Sequence, residues 1–374
     1  MSPLHDDLGA SWRARRPRQA GHHLDSAACS RQSSRVLEAV ALHARHEAEL
    51  GGYVVQQAAE PLVQQGRSVI GGLMGMAAAD VAFVESATDA LATLLAGWRL
   101  PAGSAVACLP GEYGPNVMQL RSAGLAPVAM PVDGAGRADP AAVEALLAEA
   151  PPAFVHLTHV GSHRGTVQPA AEIAAVCRAA GVPLVLDAAQ SLGHVDVDLG
   201  ADAVYSTSRK WLAGPRGVGV LGVRPEFAAR LTPALPSYDT ELPPMRAFES
   251  HEGHIAGRVG LVLAVGEHLA AGPDAVRARL AALGRATRER LDGCGGWSVV
   301  EQLGEPSAIT TLRPPDGVDV PTTRARLIAE HGIVTTAAGP ERAPGEMTGP
   351  VLRVSPHLDA TLDQLDALAD ALAA

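Results

Sequence analysis

Short, unbroken apolar runs alternate with amphipathic stretches through the middle of the chain. Val81–Val84, Ser104–Leu109, Ala126–Pro131, Phe154–Thr158, Pro183–Ala188, Ala203–Ser206 and Gly217–Val223 read as strands. Thr88–Trp98, Gly114–Ala123, Asp139–Ala148 and Pro169–Ala180 read as helices between them. Apolar runs this short, without polar alternation, suit strands covered on both faces. Their alternation with helices builds βαβ units around a mostly parallel sheet, an α/β architecture. Pro233, Pro236, Pro243 and Pro244 then interrupt the pattern and predict a domain junction near residue 245. Beyond it, long helices are expected over Ala256–Ala271 and Pro273–Cys294, and further helices over Thr322–His331 and Leu362–Ala374. Short strands are expected near Trp297–Glu301, Ala308–Leu312, Ile333–Thr336 and Leu352–Ser355. The expected division is an N-terminal segment over 1–45 that packs on the small domain, a large domain over 46–245, and a small α+β domain over 246–374.

Composition narrows the function classes. The chain has 374 residues, 47% of them hydrophobic, enough for a large core. Its formal charge is −10 and no basic face is evident, so nucleic acid is not an expected partner. The Arg13, Arg15, Arg16 and Arg18 cluster reads as a solvated N-terminal stretch. Cys29, Cys108, Cys177 and Cys294 lie far apart without a C-x-x-C pair, which argues against a metal site and a disulfide framework. The first residues are polar and no run of about 18 apolar residues occurs. The expectation is a cytoplasmic protein without a membrane partner.

Open parallel sheets gather functional groups at the carboxyl ends of their strands. Asp187 stands at such an end, with Gln190 just after it. Lys210 follows Ser206, Thr207, Ser208 and Arg209, and precedes Trp211 and the glycines 214, 217 and 219. Singly, these read as a helix cap and a surface lysine. Together they are what pyridoxal 5′-phosphate (PLP) chemistry asks for. An amine must hold the aldehyde. A carboxylate must keep the pyridine nitrogen protonated. Hydroxyls, a cation and helix N-terminal amides must hold the phosphate.

The segment Leu184–Gly219, with its D-x-x-Q and S-x-x-R-K-W motifs, resembles the class V aminotransferase superfamily of fold type I PLP enzymes. That group includes cysteine desulfurases, kynureninases and isopenicillin N epimerase-like proteins. The resemblance spans almost the whole chain and implies the fold type I architecture and a homodimer. It implies Lys210 as the Schiff-base lysine, Asp187 as partner of the pyridinium nitrogen and Gln190 as a contact of the phenolic oxygen. Thr207 and Arg209 would hold the phosphate with the Ser86-Ala87-Thr88 turn. Tyr113, within Glu112–Asn116, would stack on the ring where relatives carry histidine. Ser162 replaces the asparagine of the family's S-N-x-T-G loop, which leaves His163 and Arg164 as candidate substrate contacts. Arg353, in the R-x-S motif, would grip the substrate carboxylate. His251 and Glu252 stand where relatives carry Gly-Thr.

Finer stretches resemble one subgroup, the PLP-dependent C–S lyases of ergothioneine biosynthesis in actinobacteria. They are His23–Ser33, His43–Tyr53, Cys108–Asn116, Ser162–Gly165, Glu305–Leu312 and Ile333–Pro344. This implies a small sulfur-containing amino acid as substrate: hercynylcysteine sulfoxide, cleaved to give ergothioneine, pyruvate and ammonia. Ala28 and Tyr53, in the first two stretches, become substrate candidates. For the trimethylammonium group the candidates are Tyr53, Phe248 and Tyr238, with Glu49 or Glu252 as counter-charge. No cysteine follows Cys294, whereas desulfurases need a mobile thiolate in the small domain. Other class V activities, such as aminotransferase, epimerase or desulfurase-like chemistry, and a PLP-free binding protein on the same fold, are the alternatives.

Overall fold

A computed structural model describes residues 7–234 and 242–374. In chain order the elements are α1 (Asp7–Ala14), β1 (His22–His23), α2 (Ser34–Leu50), α3 (Gly52–Leu73), β2 (Val81–Val84), α4 (Ala87–Trp98), β3 (Ala105–Cys108), α5 (Gly114–Ser122) and β4 (Ala126–Ala129). Then come α6 (Pro140–Glu149), β5 (Phe154–Thr158), α7 (Ala170–Ala180), β6 (Leu184–Asp187), β7 (Ala203–Thr207), β8 (Gly219–Val223) and α8 (Pro225–Ala228). The remainder is α9 (Ile255–Ala271), α10 (Pro273–Leu291), β9 (Ser298–Val299), β10 (Thr310–Arg313), α11 (Val320–His331), β11 (Ile333–Val334), β12 (Thr336–Ala338), β13 (Val351–Val354) and α12 (Leu362–Ala373).

Seven strands form the main sheet in the order β2-β8-β7-β6-β5-β3-β4. Only β8 runs against its neighbours, so the sheet is mostly parallel. Every residue of β5, β6, β7 and β8 is buried, which is why these strands read as unbroken apolar runs. Local chemistry sets the helix starts. Ser86 caps α4 by accepting from Asp89 N, and Asp139 caps α6 through Ala141 N and Ala142 N. Fold type I, an α/β sheet between helices, is the architecture.

The small sheet runs β12-β13-β10-β9, all antiparallel, backed by α10, α11 and α12 around Leu283, Leu312, Leu352, Leu365 and Leu368. The apolar run 333–336 does not form one strand. β11 pairs parallel with β1, while β12 pairs with β13, so the chain changes sheets at Thr335. The N-terminal segment divides likewise. Leu24 joins the small-domain core and Asp25 bridges to Ser355, but α2 packs on α3 and α9. Val259, Leu261 and Val265 of α9 lie in the core of the main sheet. The chain leaves that core at the α9–α10 corner, by Gly272. No single described helix is long and apolar enough to cross a membrane; α9 and α10 reach that length only as a pair bent by 84°.

Candidate active site

The carboxyl ends of β5, β6 and β7 and the start of α4 open onto one cavity of about 310 Å³. It is lined by Ala28, Ala87, Thr88, Tyr113, Ser162, Asp187, Gln190, Thr207, Arg209 and Lys210, ten of the positions singled out in the sequence. Ser86, Asn116, Thr158, Arg216 and Arg342 line it too, and the sequence pattern had not pointed to the last four. His163 lies one residue away but faces a neighbouring cavity, where Glu346 pairs with it at 3.1 Å and with Arg164 at 3.0 Å. Tyr53 is 85% exposed and lines none of these cavities. Phe248 lines a third cavity with His251; Glu49 and Glu252 are exposed; Tyr238 lies outside the described residues.

The Lys210 amine makes no hydrogen bond among the described residues, and it is pushed down to about 7. Burial is the main cause; Asp187 opposes it, and Arg209, Arg353 and Arg342 add to it. The side chains of Arg209, Arg216 and Arg342 likewise have no hydrogen-bond or ion-pair partner among the described residues. Among the described residues, Asp187 is the one carboxylate in the lining. Such a cavity calls for anions, and a phosphate dianion and a substrate carboxylate would supply them.

The polar groups around the lysine are held firmly. Asp187 accepts from Asn116 Nδ2 at 2.8 Å and from Ala189 N at 2.8 Å. Gln190 donates to Ala27 O and accepts from Trp211 Nε1, both at 2.9 Å, which leaves one amide N–H uncommitted. Trp211, the residue after Lys210, is stacked on His194 with ring centroids 3.8 Å apart. Ser162 Oγ is buried without a partner. Gly219 of β8 lies against the Ser86 turn, where an added Cβ would sit 2.6 Å from Ser86 C. Arg353 is fully buried and does not line the cavity. It donates to Ser162 O at 2.7 Å and to Asp25 Oδ1 at 3.0 Å, and its Nε has no acceptor.

A second polar layer lies behind Asp187 and went unread in the sequence, because its members are far apart along the chain. The buried Glu112 carboxylate accepts from Tyr113 N, Asn116 Nδ2 and Thr158 Oγ1, and meets His156 Nδ1 at 3.0 Å. His156 Nε2 lies 2.8 Å from the Tyr205 hydroxyl.

These groups fit PLP: a free amine of lowered pKa, a strand-end carboxylate, an unpaired arginine pair and a helix start whose turn is pressed by a glycine. Comparison with known proteins agrees. The Aminotransferase class-V model matches residues 22–368. A probable hercynylcysteine sulfoxide lyase from Mycobacterium tuberculosis is 52% identical over 378 residues, covering 100% of this chain and 95% of the relative. An isopenicillin N epimerase from Amycolatopsis lactamdurans is 28% identical, covering 94% of each chain. The solved cysteine desulfurase of Thermococcus onnurineus NA1 superposes with a TM-score of 0.82 at 22% identity, over 94% of each chain. The cystine C–S lyase C-DES, solved with its product cysteine persulfide, superposes with a TM-score of 0.84 at 19% identity, over 95% of this chain and 97% of that one. With the family model matched over nearly its full length and the cavity built around Lys210 and Asp187, the chain belongs to the class-V aminotransferase family of PLP-dependent enzymes.

Proposed function

We propose that the chain is a carbon–sulfur lyase that cleaves hercynylcysteine sulfoxide by β-elimination. The products are pyruvate, ammonia and a sulfenic acid that a thiol reduces to ergothioneine. The observation that carries this reading is the 52% identity, over the whole chain, to a relative named as a probable lyase of that substrate.

When bound, PLP supplies an electron sink for bond breaking at the substrate's α-carbon. Lys210 is the residue to hold its aldehyde carbon and, once displaced by the substrate amine, to take the Cα proton on Nζ. An amine near 7 is partly neutral at neutral pH, as both tasks require. Asp187, fixed by Asn116 and Ala189, would face the ring nitrogen. Tyr113 would lie on the ring, and Gln190 would offer its remaining N–H to the ring oxygen. Thr88, Thr207, Arg209 and Arg216 would hold the phosphate with the start of α4.

The substrate carboxylate is assigned to the field of two arginines. Arg342 lines the cavity unpaired, and Arg353 stands behind Ser162 with its Nε uncommitted. The same cations favour departure of the sulfur group, because a sulfenate leaves with its charge on oxygen. No cysteine lines the cavity, and the small-domain stretch 334–351, which brings Arg342 to it, contains none. A desulfurase needs a thiolate in that place.

The test is to incubate the holoenzyme with hercynylcysteine sulfoxide and a thiol and to quantify pyruvate. Pyruvate forming in step with the thione supports the reading. Turnover of cysteine to alanine and sulfide, with no pyruvate from the sulfoxide, overturns it.

A further inference from the structure

The pair Glu112 and His156 is wholly buried, yet no step above uses it. Removing two ionisable groups from water is costly unless their geometry answers for it. Here the donors converge on Glu112, and one of them, Asn116 Nδ2, is shared with Asp187. Glu112 Oε1 accepts from Tyr113 N, Asn116 Nδ2 and Thr158 Oγ1 while Oε2 meets His156 Nδ1; burial pushes the carboxyl up, but His156 and these donors hold it below its ordinary value, so it is ionised. The proton between it and the imidazole therefore sits on His156 Nδ1. His156 Nε2 faces the Tyr205 hydroxyl at 2.8 Å, and Tyr205 stands beside Asp187 as its register partner on the adjacent strand. The strands explain the convergence. β6 lies between β5 and β7, Asp187 is paired in register with Tyr205, and His156 lies on the other side of β6, opposite Val185.

We propose that His156 and Tyr205 form a positioning relay, anchored by Glu112, that sets how tightly Asp187 holds the proton of the cofactor's ring nitrogen. The tyrosine has one proton and two acceptors. When His156 donates from Nε2 to the tyrosine oxygen, Tyr205 is left to donate to Asp187. When His156 is neutral, it takes the tyrosine proton, and Asp187 keeps only Asn116 and Ala189. Fewer donors make a more basic carboxylate, which draws the ring proton toward itself. The titratable groups facing His156 are Glu112 from the loop before α5, Tyr205 from β7 and Asp187 from β6. Burial alone would push the imidazole down, but Glu112 and then Asp187 hold it above its ordinary value. A protonated imidazole favours the first arrangement. Tyr205 is itself raised well above the ordinary phenol value, chiefly by burial, and stays a donor.

The inference rests on the proposed placement of Asp187 at the ring nitrogen, and it holds whichever sulfur group leaves. The test reads the bound cofactor's absorbance against pH in holoenzyme carrying Tyr205→Phe or His156→Gln. Tyr205→Phe keeps the buried ring and loses only the hydroxyl, so it folds even where His156→Gln strands the Glu112 charge. The relay predicts that the spectral midpoint rises by about half a pH unit or more in Tyr205→Phe. His156→Gln should shift it the same way, and kcat should fall more than KM rises. A lost side-chain contact of purely structural value would lower the melting temperature and leave the midpoint alone. An unchanged midpoint in Tyr205→Phe overturns the relay, whatever His156→Gln does. Asp187→Ala tests the placement separately: cofactor affinity and band equal to the parent's would overturn that premise and leave the sulfur substrate untouched.

Discussion

At Lys210 the folded chain holds an amine among cations, with Asp187 as its close counter-charge, and the amine falls from an ordinary 10.5 to about 7. The sign of the linked stability follows. Between these values the unfolded chain binds the proton and the folded apoprotein does not, so apoprotein stability rises with pH from about 7 and levels off near 10.5. Lys210→Met removes this dependence. Thermal unfolding of the two apoproteins should find the parent the less stable near neutral pH, with the gap closing toward pH 10.5. A gap that stays constant would show that the amine is not depressed. Arg353 is a contrasting residue. Its motif suggested direct contact with the substrate, but the guanidinium is sealed beneath Ser162 and bound to Asp25. Arg342 is an unpaired guanidinium in the lining, with Arg209 and Arg216.

The turn from β2 into α4 depends on a neighbour in the sheet. Ser86 uses its hydroxyl on Asp89 N, and Gly219 of β8 leaves room for the turn to press against the sheet. Gly219→Ala places a methyl 2.6 Å from Ser86 C, so the turn must shift. Its expected effect is cofactor affinity lowered by about tenfold or more together with a loss of stability, because the backbone of Ser86 and of Ser206 must both give way. Equilibrium dialysis of the cofactor with a parallel thermal melt checks this; unchanged affinity would mean the turn does not contribute. Elements of this kind also mark what the sequence could tell. Asp187 and Lys210 were readable because each ends or follows a short apolar strand, where a polar residue stands out. Helices α2 and α3 were not: Pro61 interrupts the second, and Gly52, Gly66, Gly71 and Gly72 within it lower its helix propensity. Glu112 and His156 were illegible for another reason. A histidine inside a buried strand reads as an anomaly until its partner, 44 positions away, comes into contact. Arg342 sits in an irregular stretch without period, so only the closed fold brings it to the cavity.

Across the whole molecule the cavity lies on the seam between the two cores, with Arg342 from the small domain meeting Lys210 from the large one. One expected contact does not fit within a single chain. Tyr53 is exposed at the start of α3, away from the cavity, beside Leu50 at 61% and Val54 at 59% exposure. Neighbouring apolar side chains exposed to this degree are characteristic of a surface that meets another chain. A homodimer, the assembly the family resemblance implies, would cover them, and it is the arrangement in which Tyr53 can act as a substrate contact: it would reach the partner's cavity. Mixed dimers test this arithmetic. Lys210→Ala has no active cavity of its own, and Tyr53→Ala has two impaired ones. When the two are co-refolded, each mixed dimer regains one cavity with both residues native. Pyruvate production should then exceed the mean of the two separate preparations, and sedimentation should show dimers in all three. Activity equal to that mean in a confirmed dimer would overturn the contact across the interface, and a fully active Tyr53→Ala would place Tyr53 outside catalysis and return the substrate's far end to other residues.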